Sequence, residues 1–281
     1  MEQVSRRLLL GLAALAVALV AVGGATGSVA RRQRDIDEQV RSVALGGRVH
    51  ALVVLPSGYS TSRARYPVVY FLHGLPATSL TYRANRWLAQ ALAEAGSAIL
   101  VEPQGARATD RDPEYLDWGR GRNWATYVTT ELPEYVDSHF RTIRSRRGRA
   151  LIGLSAGGYG AAMLGLNHLG RFAAIESWSG YFHATDPTGT KAIAGGPGAN
   201  VHRLISVLRQ DEHRRSTFLA FYVGSGDSRF RKENEQFEEE LASARVPHVF
   251  AVYQGAHETS LWQRHARTWL ALALAHLARS S

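Results

Sequence analysis

From residue 48 onward, short apolar runs alternate with stretches of helical period. "RVHALVVLP" reads as a strand. "PVVYFLHG" is a β-branched and aromatic run without polar alternation, which predicts a strand buried on both faces. "SAILVEP", "RALIGLS", "FAAIESWSG", "TFLAFYVGSGD" and "HVFAVYQGAH" extend the strand series. Between them, "YRANRWLAQALAEAG", "RNWATYVTTELPEYVDSHF", "AGGYGAAMLGLNHLG" and "RKENEQFEEELASA" read as helices, and "ETSLWQRHARTWLALALAHLA" closes the chain as another. In the second of these, Trp124, Tyr127, Val128, Leu132, Tyr135 and Val136 make an apolar stripe, and Pro133 predicts a kink or a break into two helices. Strands alternating with helices predict an α/β fold with a mostly parallel central sheet covered by helices on both faces. Such sheets bind ligands beyond the C-terminal ends of their strands, so chemistry is expected in the residues just after each strand. "HATDPTGTKAIAGGPGAN" (His183 to Asn200) is a long Gly-rich insertion after one strand, read as a lid or a rim.

The first thirty residues follow a different pattern. Arg6 and Arg7 precede an uninterrupted apolar run from Leu8 to Val22, followed by small residues such as Ser28-Val29-Ala30. This is the arrangement of an export signal or a short membrane anchor, with the body of the chain outside. The partial match of Ser5-Arg6-Arg7 to a twin-arginine signal points the same way. "RRQRDIDEQVRS" is charged and without a hydrophobic stripe, which predicts a linker. The expected organisation is therefore a signal or anchor at 1–30, a charged linker at 31–47 and one catalytic domain at 48–281.

Composition narrows the chemistry. The 281 residues are 45% hydrophobic and contain no cysteine, which excludes disulfides, thiolate zinc sites and thiol catalysis. The formal net charge is +9, carried almost wholly by arginine; only Lys191 and Lys232 are lysines. "RTIRSRRGR" (Arg141 to Arg149) is the densest run and reads as a solvated surface turn. No nucleic-acid recognition motif accompanies it, so no nucleic-acid partner is expected. Association with a membrane or an anionic cell envelope is compatible with the charge. No histidine–carboxylate cluster of metal-binding spacing occurs, and neither metal nor cofactor is expected.

Against that background, "LIGLSAGGYG" places Ser155 between a strand and a helix in a G-x-S-x-G setting, where a nucleophile elbow needs it. A serine in a Gly-rich, helix-capping turn is the competing interpretation. A serine hydroxyl needs a base. In elbow enzymes the chain order is serine, acid, histidine. His257 directly follows the last strand, in "YQGAHETSLW", whereas His248 precedes it and His265 and His276 fall in the final helix. His168 ends the elbow helix, and His183 and His202 are weaker rivals. Asp227 follows the preceding strand behind Gly224-Ser225-Gly226; Glu176, Asp186, Glu233 and Glu235 are alternatives. The amides of Ala156 and Leu75, after the elbow and after an early strand, are candidate oxyanion donors. His73 either shapes that early loop or touches substrate. Trp118, Trp124, Trp178 and Trp262 offer stacking surfaces, with Trp178 and Trp262 beside His73 as candidate substrate contacts.

With those residues in order, the chain resembles the esterase D-like α/β-hydrolases, which include secreted serine esterases, feruloyl esterases and mycolyltransferases. "LPSGY…YPVVYFLHGLP", "WATYVTTELPEYVDSHFRT", "LIGLSAGGYGAAM", "FAAIESWSGYF" and "GAHETSLW" carry the resemblance from about residue 50 to the C-terminus. It implies a Ser155–Asp227–His257 triad with an oxyanion hole at Leu75 and Ala156. Gly74-Leu75-Pro76 stands where mycolyltransferases have Gly-Leu-Arg, and Ala156 where they usually have methionine. The expected function is an exported serine carboxylic ester hydrolase working through an acyl-enzyme on a small-molecule, glycan or lipid ester. One alternative is an envelope acyltransferase that passes the acyl group to a sugar hydroxyl; another is a non-catalytic envelope-binding protein on the same fold.

Overall fold

The computed structural model describes residues 34–109, 114–186, 191–193, 196–212 and 216–280. The signal or anchor expected at 1–30 lies outside the described residues. Eight strands form one sheet: β1 (Arg34–Ser42), β2 (Gly47–Leu55), β3 (Val68–Leu72), β4 (Ile99–Pro103), β5 (Arg149–Leu154), β6 (Ala174–Trp178), β7 (Phe218–Gly224) and β8 (Val249–Tyr253). Their order is β1-β2-β4-β3-β5-β6-β7-β8. β1 and β2 pair antiparallel, as do β2 and β4; every later pairing is parallel. The expected α/β architecture is present.

The central strands β3, β4 and β6 are buried on both faces; β3 is apolar at every position, whereas β4 and β6 carry the buried polar residues Glu102, Glu176 and Ser177 within the sheet. One face carries α1 (Trp87–Ala95) and α7 (Thr259–Ala275), which pack together over Val69, Phe71, Ile152 and Trp178. The other carries α2 (Trp124–Thr126), α3 (Leu132–His139), α4 (Ala156–Asn167), α5 (Ile205–Glu212) and α6 (Arg231–Ser243). α4 is buried from Ala156 to Leu166, and its small residues let it lie hard against the sheet. Gly153 and Gly157 make that approach possible: a Cβ at Gly157 would sit 2.0 Å from the Leu72 carbonyl oxygen, and one at Gly153 would sit 2.1 Å from that of Gly157.

Three local expectations are corrected. The stretch expected to be a charged linker is strand β1, paired with β2 along its whole length. Ile36, Glu38, Val40 and Ser42 form its inner face. Glu38 accepts from the Tyr135 hydroxyl at 2.5 Å and Ser42 donates to Glu131, so two polar inward positions are satisfied by one distant helix. Of the kink or break expected at Pro133, the break is absent; a π-helical segment at Tyr127–Glu131 joins α2 to α3 immediately before it. The changed register accommodates a residue that has no N–H and whose ring clashes with the preceding turn. It also aims Glu131 at the β1–β2 turn, where it accepts from the amides of Val43 and Ala44. Finally, the arginine run is only partly solvated: Arg144 and Arg147 are exposed, but the other three are tied down. Arg141 stacks on Tyr59, Arg146 donates to Leu169, Ser216 and Thr217, and Arg149 pairs with Asp137 at 2.5 Å.

Candidate active site

β5 ends at Leu154, and Ser155 turns the chain into α4 with φ +54° and ψ −124°. A non-glycine residue there carries roughly 1–3 kcal/mol of strain. The amide of Ser155 donates to the Trp178 carbonyl, which ties the turn to β6. Its hydroxyl makes no helix-capping bond. It donates instead to His257 Nε2 at 2.9 Å. That contact separates an elbow serine from the capping serine that was the competing interpretation.

His257 follows β8 and Asp227 follows β7, so parallel pairing of these strands delivers both side chains to the same sheet edge as Ser155. His257 Nδ1 donates to Asp227 Oδ2 at 2.6 Å. A carboxylate only accepts, so Nδ1 carries the proton and the Nε2 lone pair faces the serine. Asp227 Oδ1 accepts from the amides of Arg229 and Phe230, each at 3.2 Å. Burial alone would push the Asp227 carboxyl up; the hydrogen bond and charge of His257 and the two amides hold it below the ordinary value. The carboxylate is thus kept ionised where it orients the ring.

The loop after β3 lies against the serine. A Cβ at Gly74 would come within 2.9 Å of Ser155 Cβ, so glycine is what allows this approach. Leu75 follows directly in that loop, and Ala156 is the first residue of α4. His73 is buried, donates through Nδ1 to the Gly74 carbonyl at 3.0 Å, and accepts the Gly105 amide on Nε2 at 3.0 Å. Burial pushes its imidazole down to about 4. It is a neutral strut for the loop, which corrects its placement among substrate contacts: both ring nitrogens are spent on backbone.

Trp178 and Trp262, the other expected substrate contacts, are both buried as well. Trp178 lies in the core, edge-on to Phe71, and donates to Glu176, so it offers no surface to substrate. Trp262 is also buried, donates to the Ser179 hydroxyl at 3.1 Å and stands perpendicular to the His257 ring. Of the remaining tryptophans, Trp124 is buried and Trp118 half-buried.

The rival acids stand elsewhere. Glu235 pairs with Arg231. Glu233 accepts from His183 at 2.5 Å, from the Phe182 amide at 3.0 Å and from His202 at 3.4 Å, while His202 also meets Glu240 at 2.6 Å. This cluster fastens the start of the Gly-rich insertion and the segment after it to α6. Burial would raise the Glu233 carboxyl, yet the two histidines and the amide bring it down to about 2. The Glu233 hydrogen bond raises His183, and Glu233 with Glu240 raises His202 against the opposing effect of burial. A raised histidine contributes stability below its unfolded value near 6.5 that is lost as pH rises through the folded value; a lowered carboxyl contributes above about 4.5 and is lost as pH falls. The expected result for Glu233→Gln is a drop in thermal midpoint that is largest between about pH 4.5 and 6.5 and smaller on either side. Melting curves from pH 3 to 9 check it.

Glu176 is fully buried on β6, on the face toward α7, and accepts from the Trp178 indole at 2.9 Å. Burial raises its carboxyl well above the ordinary range, so the folded chain holds it neutral. The stability linked to Glu176 is complete below its unfolded value and is lost as pH rises toward the folded one. Glu176→Gln keeps an acceptor for the indole and cannot ionise. Its stability relative to the parent is expected to rise steadily from pH 4 to pH 8, measured by urea unfolding at each pH.

The sequence of the chain matches the Esterase family model over residues 42–268. The chain belongs to the esterase family. It is 28% identical over 244 residues to esterase Rv1288 of Mycobacterium tuberculosis strain H37Rv, a stretch covering 76% of this chain and 53% of that protein. The chain spans about half the length of that curated relative. A solved ferulic acid esterase superposes with a TM-score of 0.72 at 23% identity, covering 88% of this chain and 100% of that one. A fluorophosphonate-binding serine hydrolase of Staphylococcus aureus also superposes at 0.72, with 21% identity, covering 85% and 98% of the two chains. These structures share the α/β-hydrolase fold with this member of the esterase family.

Phe230 and Ser179 carry no signature in the sequence, and Glu233, His183 and His202, each a separate candidate there, give no sign of pairing with one another. Phe230 lies 5.2 Å from the His257 ring, and Ser179 meets Trp262 across 83 residues. Neither contact has a local signature.

Proposed function

We propose that the chain is a serine carboxylic ester hydrolase in which Ser155 is the nucleophile, His257 the general base and acid, and Asp227 the group that orients the imidazole. The observation that carries this is the unbroken hydrogen-bond line from Ser155 Oγ through His257 to the buried Asp227. In acylation, Ser155 Oγ attacks the ester carbonyl as its proton passes to His257 Nε2. The carbonyl oxygen becomes an oxyanion, for which the amides of Leu75 and Ala156 are the donors; the positive end of α4 favours the same charge. Collapse breaks the bond to the alcohol, which leaves with the proton held on Nε2. Water then attacks the acyl-enzyme with its proton passing to the same nitrogen, and the acid departs as Oγ recovers its proton. Small-molecule esters fit the family to which the chain belongs, and the S. aureus neighbour, a fluorophosphonate-binding serine hydrolase, supports the nucleophile assigned here.

The Arg6-Arg7 pair before the apolar run Leu8–Val22 supports export, with the catalytic body secreted or held at the outer face of the membrane. A fluorophosphonate probe followed by peptide mass spectrometry tests the nucleophile. Phosphonylation of the peptide that contains Ser155 is expected, and loss of that signal in Ser155→Ala. A probe that labels a different serine, or labels both proteins equally, overturns the assignment.

A further inference from the structure

The triad explains which atoms move the proton. It does not explain what keeps His257 aimed, since its ring sits in a loop after an edge strand. Two aromatic rings bracket it. Trp262 stands 5.2 Å away, perpendicular at 89°, and Phe230 stands 5.2 Å away at 64°. Both are edge-type contacts at centroid distances from which a ring responds to a charge forming on the imidazole.

Each ring is itself held. Trp262 lies in the first turn of α7, five residues after His257, and its indole donates to Ser179 Oγ at 3.1 Å. Ser179 is fully buried just beyond β6, at φ +49°, and its amide donates to the Tyr222 carbonyl of β7 at 2.7 Å. A serine in that left-handed conformation is strained, and the bond to β7 keeps it there. The chain of contacts runs from β7 through Ser179 and Trp262 to His257. Phe230 is fixed by packing against Tyr181 at 4.8 Å, and its amide donates to the same Asp227 that orients His257.

We infer that Trp262, locked by Ser179, is a positioning residue that with Phe230 brackets His257 and stabilises the imidazolium formed when Ser155 gives up its proton. This rests on the serine-hydrolase assignment above. It replaces a substrate-stacking role for Trp262 with one exerted through the catalytic base. Acylation creates a positive charge on His257 in a site where it is only slightly exposed. The quadrupoles of the two rings interact more strongly with an imidazolium than with a neutral imidazole, so the gain falls on the transition state.

The test uses Trp262→Leu, Trp262→Phe and Ser179→Ala in the full chain, with p-nitrophenyl acetate as substrate and Ser155→Ala as reference. Asp227, which pairs with His257, Glu258, the next residue in the chain, and Arg229, whose amide donates to Asp227, are unchanged in every variant. Trp262→Leu is expected to lower kcat by about 5- to 30-fold with little change in KM, and to move the acid limb of the kcat/KM–pH profile to lower pH. Trp262→Phe keeps a ring but loses the bond to Ser179; its acid limb is expected to stay in place while kcat falls by a smaller factor. Ser179→Ala is expected to match Trp262→Phe. Fluorophosphonate labelling rates are expected to fall in the same order as kcat. Thermal midpoints report folding, and the two milder variants keep the question answerable if Trp262→Leu does not fold. Wild-type kcat in Trp262→Leu, or equal losses in Leu and Phe variants with unmoved acid limbs, overturns the bracket. Undiminished turnover in Ser155→Ala instead overturns the nucleophile assignment on which it rests.

Discussion

Ser155→Ala is expected to lower kcat/KM for p-nitrophenyl acetate by about 10⁶-fold while leaving the thermal midpoint at or above that of the parent. The activity loss follows from geometry. Ser155 Oγ is the hydroxyl that meets His257 Nε2 at 2.9 Å, and it occupies the turn between β5 and α4. The stability expectation follows from the side chain's lack of a capping bond: the helix loses nothing when the hydroxyl is removed. The backbone amide, which donates to Trp178, is retained. Residual turnover measures what water, the oxyanion donors and the helix end achieve without a nucleophile. Steady-state kinetics with a melting curve on the same preparation checks both halves.

Asp227→Asn is expected to cost about 10⁴-fold in kcat with folding preserved. The Asn side chain keeps one carbonyl oxygen, enough to accept the Arg229 and Phe230 amides that Asp227 Oδ1 accepts now. Its NH₂ group then faces His257 Nδ1. That nitrogen must become an acceptor, so the ring proton moves to Nε2. Nε2–H now points at Ser155 Oγ, where it cannot take a proton. Loss therefore appears in kcat across the whole pH range in which the parent works. A loss confined to low pH, or one accompanied by a large fall in thermal midpoint, would assign Asp227 a different role.

The parts of the fold legible in sequence are those whose physics is local. β3 and β5 are buried almost throughout, and their runs of apolar residues say so without reference to any partner. Ser155 was legible because the glycines beside it mark a close backbone approach, and the structure puts Gly157 against Leu72 and Gly153 against Gly157. Asp227 and His257 were legible because a parallel sheet brings the ends of successive strands to one edge.

What stayed hidden depends on partners far along the chain. β1 looked like a linker because Glu38 and Ser42 occupy inward positions, and only Tyr135 and Glu131, 97 and 89 residues away, make that tolerable. Arg146 in the basic run looked solvated because the carbonyls that take up its guanidinium belong to residues 169 and 216. Trp178 looked like a stacking surface; on β6 it shares a face with Ala174 and Glu176, which turns it into the core beneath α7. α5 passed unread as an element because "ISVLRQDE" is short and mostly polar.

The proposed mechanism passes through a covalent acyl intermediate on Ser155. The direct measurement is rapid acid quenching of the enzyme with p-nitrophenyl acetate during turnover, followed by mass spectrometry of its peptides. The expected result is one acyl group on the peptide containing Ser155, formed at a rate no slower than turnover and absent from Ser155→Ala. Turnover with no acylated peptide, or acylation of another residue at the turnover rate, would contradict it.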